Sequence, residues 1–98
     1  MIRARLLAPA EHDLDECASF YESKSVGLGS DFIDEVEHLI ERLLRFPSIA
    51  PIYVDDFRSA QLPRFPFNLI YRIERQEIVI VAIAHQSRRP GYWRGRAD

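Results

Sequence analysis

The sequence predicts an α+β fold in the order strand, helix, helix, strand, strand, strand, with a helical hairpin lying on one face of a small sheet. Three observations carry this. Apolar residues alternate with a period of two at the start of the chain and again after residue 57. Between those stretches they recur at the i, i+3, i+4, i+7 spacing of amphipathic helices. Glycines and prolines fall at the joints. The 98 residues, 47% hydrophobic and 29% charged, have the composition of an ordinary globular protein and lead us to expect one compact domain, 1–98.

Met1 to Leu7 sets Ile2, Ala4 and Leu6 against Arg3 and Arg5, a strand with one buried face. Pro9 then suits the first turn of a helix, where its missing N–H is no loss. Glu11, Asp13, Asp15 and Glu16 bring negative charge to that N-terminus, as the helix dipole favours. Leu14, Cys17, Ala18 and Tyr21 form its apolar stripe, and "SVGLGS" ends it. A second helix is expected from about Leu28 to Arg45, with Phe32, Val36, Leu39, Ile40 and Leu43 inside and Asp34, Glu35, Glu37 and Glu41 outside. Pro47 stops it, and the short glycine turn between the helices implies an antiparallel hairpin.

Strand texture resumes at Arg58–Leu62, bounded by Pro63 and Pro66. Phe67 to Glu74 alternates Phe67, Leu69, Tyr71 and Ile73 against Asn68, Ile70, Arg72 and Glu74. Arg75-Gln76 forms a tight turn into Glu77–His85, whose "IVIVAIA" is apolar on both sides. Such a strand is covered on both faces or lies centrally in its sheet.

No apolar run nears the roughly 20 residues that span a membrane, and "MIRARLL" is too short for a secretion signal. A single cysteine forms no internal disulfide, which points to a reducing cytoplasm. Charge is polarised along the chain. Residues 1–57 hold five Lys/Arg against twelve Asp/Glu, and residues 58–98 hold eight Arg against three Asp/Glu. Either the two halves attract one another, or the basic half faces an anion such as phosphate or an acidic protein.

The chain has no GxGxxG, P-loop, CxxC or HExxH motif, and His12, His38 and His85 are scattered, so neither metal nor cofactor is expected. Cys17 reads as a small apolar-face residue and not a nucleophile. Chemistry is left to the ending "AHQSRRPGYWRGRAD". His85 closes the buried strand, where its ring either reaches a substrate or satisfies a loop. Arg88 and Arg89 follow it, and arginine forks suit phosphate and carboxylate. Tyr92 and Trp93 either stack on bases beside them or fold back on the sheet, and for Trp93 packing is the preferred reading.

Taken together, the Pro9-Ala10 helix start, "FYESKSVGLGSDF", "RFPSIAP", "RSAQLPRFPFNLIYRI" and "IVIVAIAHQSRRPGYWRGR" resemble the RelE/ParE superfamily of type II toxin–antitoxin proteins, in order and over nearly the whole chain. The resemblance implies a small antiparallel sheet of about four strands against an N-terminal helical hairpin. It also implies a small antitoxin, ParD-like or other, as hetero-oligomeric partner. RelE-like members cleave mRNA on the ribosome without metal, whereas ParE-like members inhibit DNA gyrase.

RelE-like members usually carry a catalytic arginine just before the Leu-Ile-Tyr motif; here Asn68 stands there, and Lys24 is the only lysine. Asn offers no charged fork to a phosphorane, which favours the ParE-like branch. On that branch Arg88, Arg89, Tyr92, Trp93, Arg94 and Arg96 are the target-facing residues. On the RelE-like alternative, His85, Arg88 and Tyr92 supply base, phosphate clamp and acid, helped by Arg72 on the Asn68 face. A third possibility is a non-toxic relic that only binds antitoxin. Deletion of residues 87–98 is expected to abolish toxicity and leave a folded domain.

Overall fold

The computed structural model describes residues 2–97; Met1, at the start of the first predicted strand, and Asp98 lie outside the described residues. The chain runs through β1 (Arg3–Leu6), α1 (Ala8–Lys24), α2 (Leu28–Arg45), β2 (Ile52–Val54), β3 (Phe57–Gln61), β4 (Phe67–Glu74), β5 (Glu77–His85) and a closing 3-10 turn at Arg94–Ala97. The α+β class and the hairpin agree with the sequence reading. The sheet departs from it in two ways. It has five strands, in the order β1-β5-β4-β3-β2, and β1 pairs with β5 in parallel, so the sheet is mixed and not purely antiparallel. The extra strand, β2, is a three-residue edge strand joined to β3 by a turn at Asp55-Asp56, where Asp55 tolerates a φ of 54°.

β5 has strand neighbours on both sides, and its two apolar faces are each covered by a core. A bulge divides it. Ile70 pairs with Ala82 and Tyr71 with Ile80, leaving Val81 without an opposite number. The extra residue reverses the alternation. Ile78, Ile80 and Ile83 face the helices, while Val79, Val81, Ala82 and Ala84 face away.

The helical hairpin is fastened at its tip by Glu22 of α1. Its carboxylate accepts the backbone N–H groups of Gly27 at 2.9 Å and Gly29 at 3.0 Å, capping α2 from outside that helix. Gly27 turns the chain at φ 88°. Gly29 is needed for a different reason: a Cβ there would collide with the Ala18 carbonyl oxygen and lie 3.0 Å from Glu22 Cβ.

Below the hairpin an aromatic cluster joins helices to sheet. Phe32 lies 5.0 Å from Phe65 and 5.4 Å from Phe67, and Tyr21 lies 4.8 Å from Phe65, between ring centroids. The "RFPF" motif therefore puts two rings, spaced by Pro66, into this core. Glu35 corrects the sequence reading. Expected on the outer face of α2, it is only 8% exposed. Its carboxylate accepts the Arg64 backbone N–H and Nε–H, both at 2.7 Å, and so pins the β3–β4 loop. Tyr71 does the same for the loop after α2, donating its hydroxyl to the Pro47 carbonyl at 2.6 Å.

Gly29→Ala is expected to lower stability by about 2 kcal/mol through overpacking at the helix crossing, read as a fall in the urea midpoint with unchanged slope. An unchanged midpoint would show that the helices do not approach so closely.

Candidate functional site

The face of the sheet away from the helices is covered by the chain's own C-terminal segment. Trp93 is 1% exposed and packs edge-on against Phe57, at 4.8 Å between centroids, over a second core that includes Ile70, Val79, Val81, Ala82 and Ala84. Two ion pairs hold the segment down. Arg94 donates to Asp55 Oδ2 at 2.7 Å in an exposed pair of small worth. Arg96 Nη1 donates to Asp13 Oδ2 at 2.7 Å and to the Val81 carbonyl at 3.1 Å, while Asp13 Oδ2 also accepts the Ile83 backbone N–H at 3.1 Å. This second pair is largely enclosed, with side-chain exposures of 24% and 15%.

Where the segment leaves β5, a concavity of about 40 Å³ opens, lined by Asn68, Ile70, Ala84, Arg88, Arg89 and Trp93 among others. It has room for an ordered water or the tip of an anionic group and none for a nucleobase. Arg88 and Arg89 are exposed at its mouth and have no carboxylate partner among the described residues. Tyr92 is not a free stacking platform. The Arg88 guanidinium sits 3.8 Å from its ring centroid and that of Arg96 sits 5.5 Å away. Burial, reinforced by the Asp13 charge against the opposing pull of Arg96 and Arg88, raises the Tyr92 hydroxyl above its ordinary pKa and keeps it a neutral donor.

Of the residues that a nuclease would use, His85, Arg88 and Tyr92 line this same concavity beside Asn68, and Arg72 does not. His85 pairs across the sheet with Phe67, and its ring packs edge-on against Phe67 at 5.0 Å, on the helical side. Its Nδ1 accepts the Ser87 backbone N–H at 3.0 Å, which places the neutral ring's proton on Nε2 and leaves a donor where a general base needs a lone pair. Asn68 faces the other way, opposite Ala84, and its Oδ1 accepts from Gln86 Nε2 at 3.2 Å. Arg72 shares the Asn68 face, as alternation predicts, but pairs with Glu74 and lies over the Phe57 ring, outside the concavity. Cys17 is half-buried, and burial, with Asp13 and Glu16 nearby, pushes its thiol up to about 11, so it is no nucleophile near neutrality.

The model of the ParE toxin of the type II toxin–antitoxin system parDE matches residues 4–90. The chain belongs to this family. Among solved structures, the chromosomal ParDE toxin–antitoxin system from P. aeruginosa contains a chain with the same fold, at a TM-score of 0.63 and 22% identity, over 87% of this chain and 96% of that one. No curated protein sequence matches.

For this ParE-family chain the structure sorts the predicted target-facing residues. Arg88 and Arg89 are presented outward. Trp93 is buried against the second core, which gives it a packing role at the floor of the concavity. Arg94 and Arg96 are committed to Asp55 and Asp13. The expected tolerance of a deletion of residues 87–98 is likewise corrected, because it would strip the second core. Asp13 was not singled out by the sequence reading. Its place one turn before Cys17, at the margin of the α1 apolar stripe, was the available signal.

Trp93→Ala is expected to destabilise the ParE-family domain by about 3–5 kcal/mol in chemical denaturation. Loss below 1 kcal/mol would mean that the C-terminal segment does not cover the sheet.

Proposed function

We propose that this chain is a toxin that inhibits DNA gyrase through its basic C-terminal edge and is silenced by a cognate small antitoxin. The observation that carries the gyrase reading is the state of the would-be nuclease site. Asn68 stands in place of the charged fork, His85 Nδ1 is engaged by Ser87 while its ring packs on Phe67, and Arg72 is engaged elsewhere. What remains is a binding surface: two arginines without carboxylate partners among the described residues, lining a shallow concavity. Surfaces of this kind meet phosphates or acidic side chains. Membership of a toxin–antitoxin family supports the antitoxin as partner. Phe46 and Ile49, exposed beside the α2 cations Arg42 and Arg45, offer it apolar anchors and charge pairing.

The test is a supercoiling assay with purified gyrase, run beside a translation assay that reports mRNA cleavage. Supercoiling is expected to stop, with gyrase-linked DNA breaks accumulating and mRNA intact. Replacing Arg88 and Arg89 together by Ala is expected to raise the required concentration about thirtyfold or more, since each charged hydrogen bond contributes roughly 1.5–3 kcal/mol. Cleaved mRNA would overturn the proposal in favour of the RelE-like alternative. Absence of growth arrest on induction would identify a relic.

A further inference from the structure

Arg88 and Arg89 are neighbours in sequence, yet among the described residues only Arg88 has an aromatic ring beneath it. The 3.8 Å between its guanidinium and the Tyr92 centroid is the separation of a stacked cation–π pair. The ring is itself held. Arg96 lies on it at 5.5 Å and is fixed by Asp13 of α1 and by the Val81 carbonyl. Arg88, Tyr92, Arg96 and Asp13 thus form one continuous file from the turn after β5 back to the first helix.

Packing alone does not account for Tyr92. The adjacent Trp93 fills the second core, whereas Tyr92 is only partly buried, and no hydrogen bond from its hydroxyl is present among the described residues. An exposed arginine ordinarily samples many rotamers and gives up that freedom when it binds. A ring that holds the guanidinium in place removes part of this loss before the target arrives.

We infer that Tyr92 is a positioning residue for Arg88, orienting its guanidinium toward an anionic group of the target. The inference rests on the reading that Arg88 faces the target, and it separates the two arginines: Arg88 is preset and Arg89 is not.

The test has a part that needs no target. In nuclear magnetic resonance spectra of the full chain, the Arg88 Nε–H signal is expected to carry a ring-current displacement. The displacement should vanish in Tyr92→Leu and persist in Tyr92→Phe, which keeps the ring. An undisplaced Arg88 signal in the unsubstituted protein would overturn the inference. The second part is a double-mutant cycle on gyrase inhibition. Tyr92→Leu is expected to weaken inhibition roughly tenfold, Tyr92→Phe to restore it, and Tyr92→Leu to add nothing once Arg88 is Ala. An equal loss in the Arg88→Ala background would mark Tyr92 as merely structural and overturn the inference. If Arg88→Ala itself changes nothing while the displaced signal is present, the target-facing reading fails although the stacked geometry stands.

Discussion

One carboxylate on the first helix decides how the last third of this protein is arranged. β1 pairs with β5 only as far as Ile80, where Leu7 N–H makes the final ladder bond at 3.0 Å before the chain turns into α1. Beyond that point the β1 side of β5 would present bare backbone groups against the helix. Asp13 accepts the Ile83 N–H, and Arg96 donates to the Val81 carbonyl while pairing with Asp13. Acid and base together stand in for the missing strand. With both side chains mostly enclosed, removing either alone leaves an uncompensated charge and costs about 3–5 kcal/mol.

From that substitution the rest of the C-terminal region follows. The Val81 bulge lies within this stretch and turns Ala82 and Ala84 to the side that Val79 and Val81 already face, creating an apolar face away from the helices that must be covered. Trp93 covers it, and Arg96 can reach Asp13 because the segment after Trp93 folds into a short 3-10 turn. The segment is therefore neither a frayed tail nor wholly a contact surface. It is half core and half surface, and the division falls within a few residues: Arg88 and Arg89 outward, Trp93 inward, Arg94 and Arg96 committed to carboxylates. This concentrates the proposed target contact on fewer residues than the arginine content suggests, which is why the toxin reading centres on Arg88 and Arg89.

The parts that the sequence made legible are those governed by local period. α2, β4 and β5 sit where the alternation and the helical stripe put them, and the covering of both faces of β5 followed from its apolar run. β2 escaped because three residues are too few to display a period. The parallel pairing of β1 escaped because a partner some seventy residues away leaves no local trace. Glu35 read as a surface acid because the cation and N–H that draw it inward belong to a loop distant in sequence. In the site, the outward arginines were visible, since charge without a nearby acid is a sequence property. The orientation of His85 was not, because a single bulged residue reverses which face it occupies. Asp13 was hidden among the acids of its helix start, although its spacing from Cys17 marked it as inward.

Hydrogen exchange at the Ile83 amide tests this account most directly. In the unsubstituted protein that amide is expected to be protected despite having no strand partner on its side. Asp13→Ala is expected to release it, together with the backbone of residues 92–97, while the β3–β4 pairs such as Ala60 and Leu69 stay protected. Unchanged protection of Ile83 in that variant would contradict the account, since some other group would then be holding the end of β5.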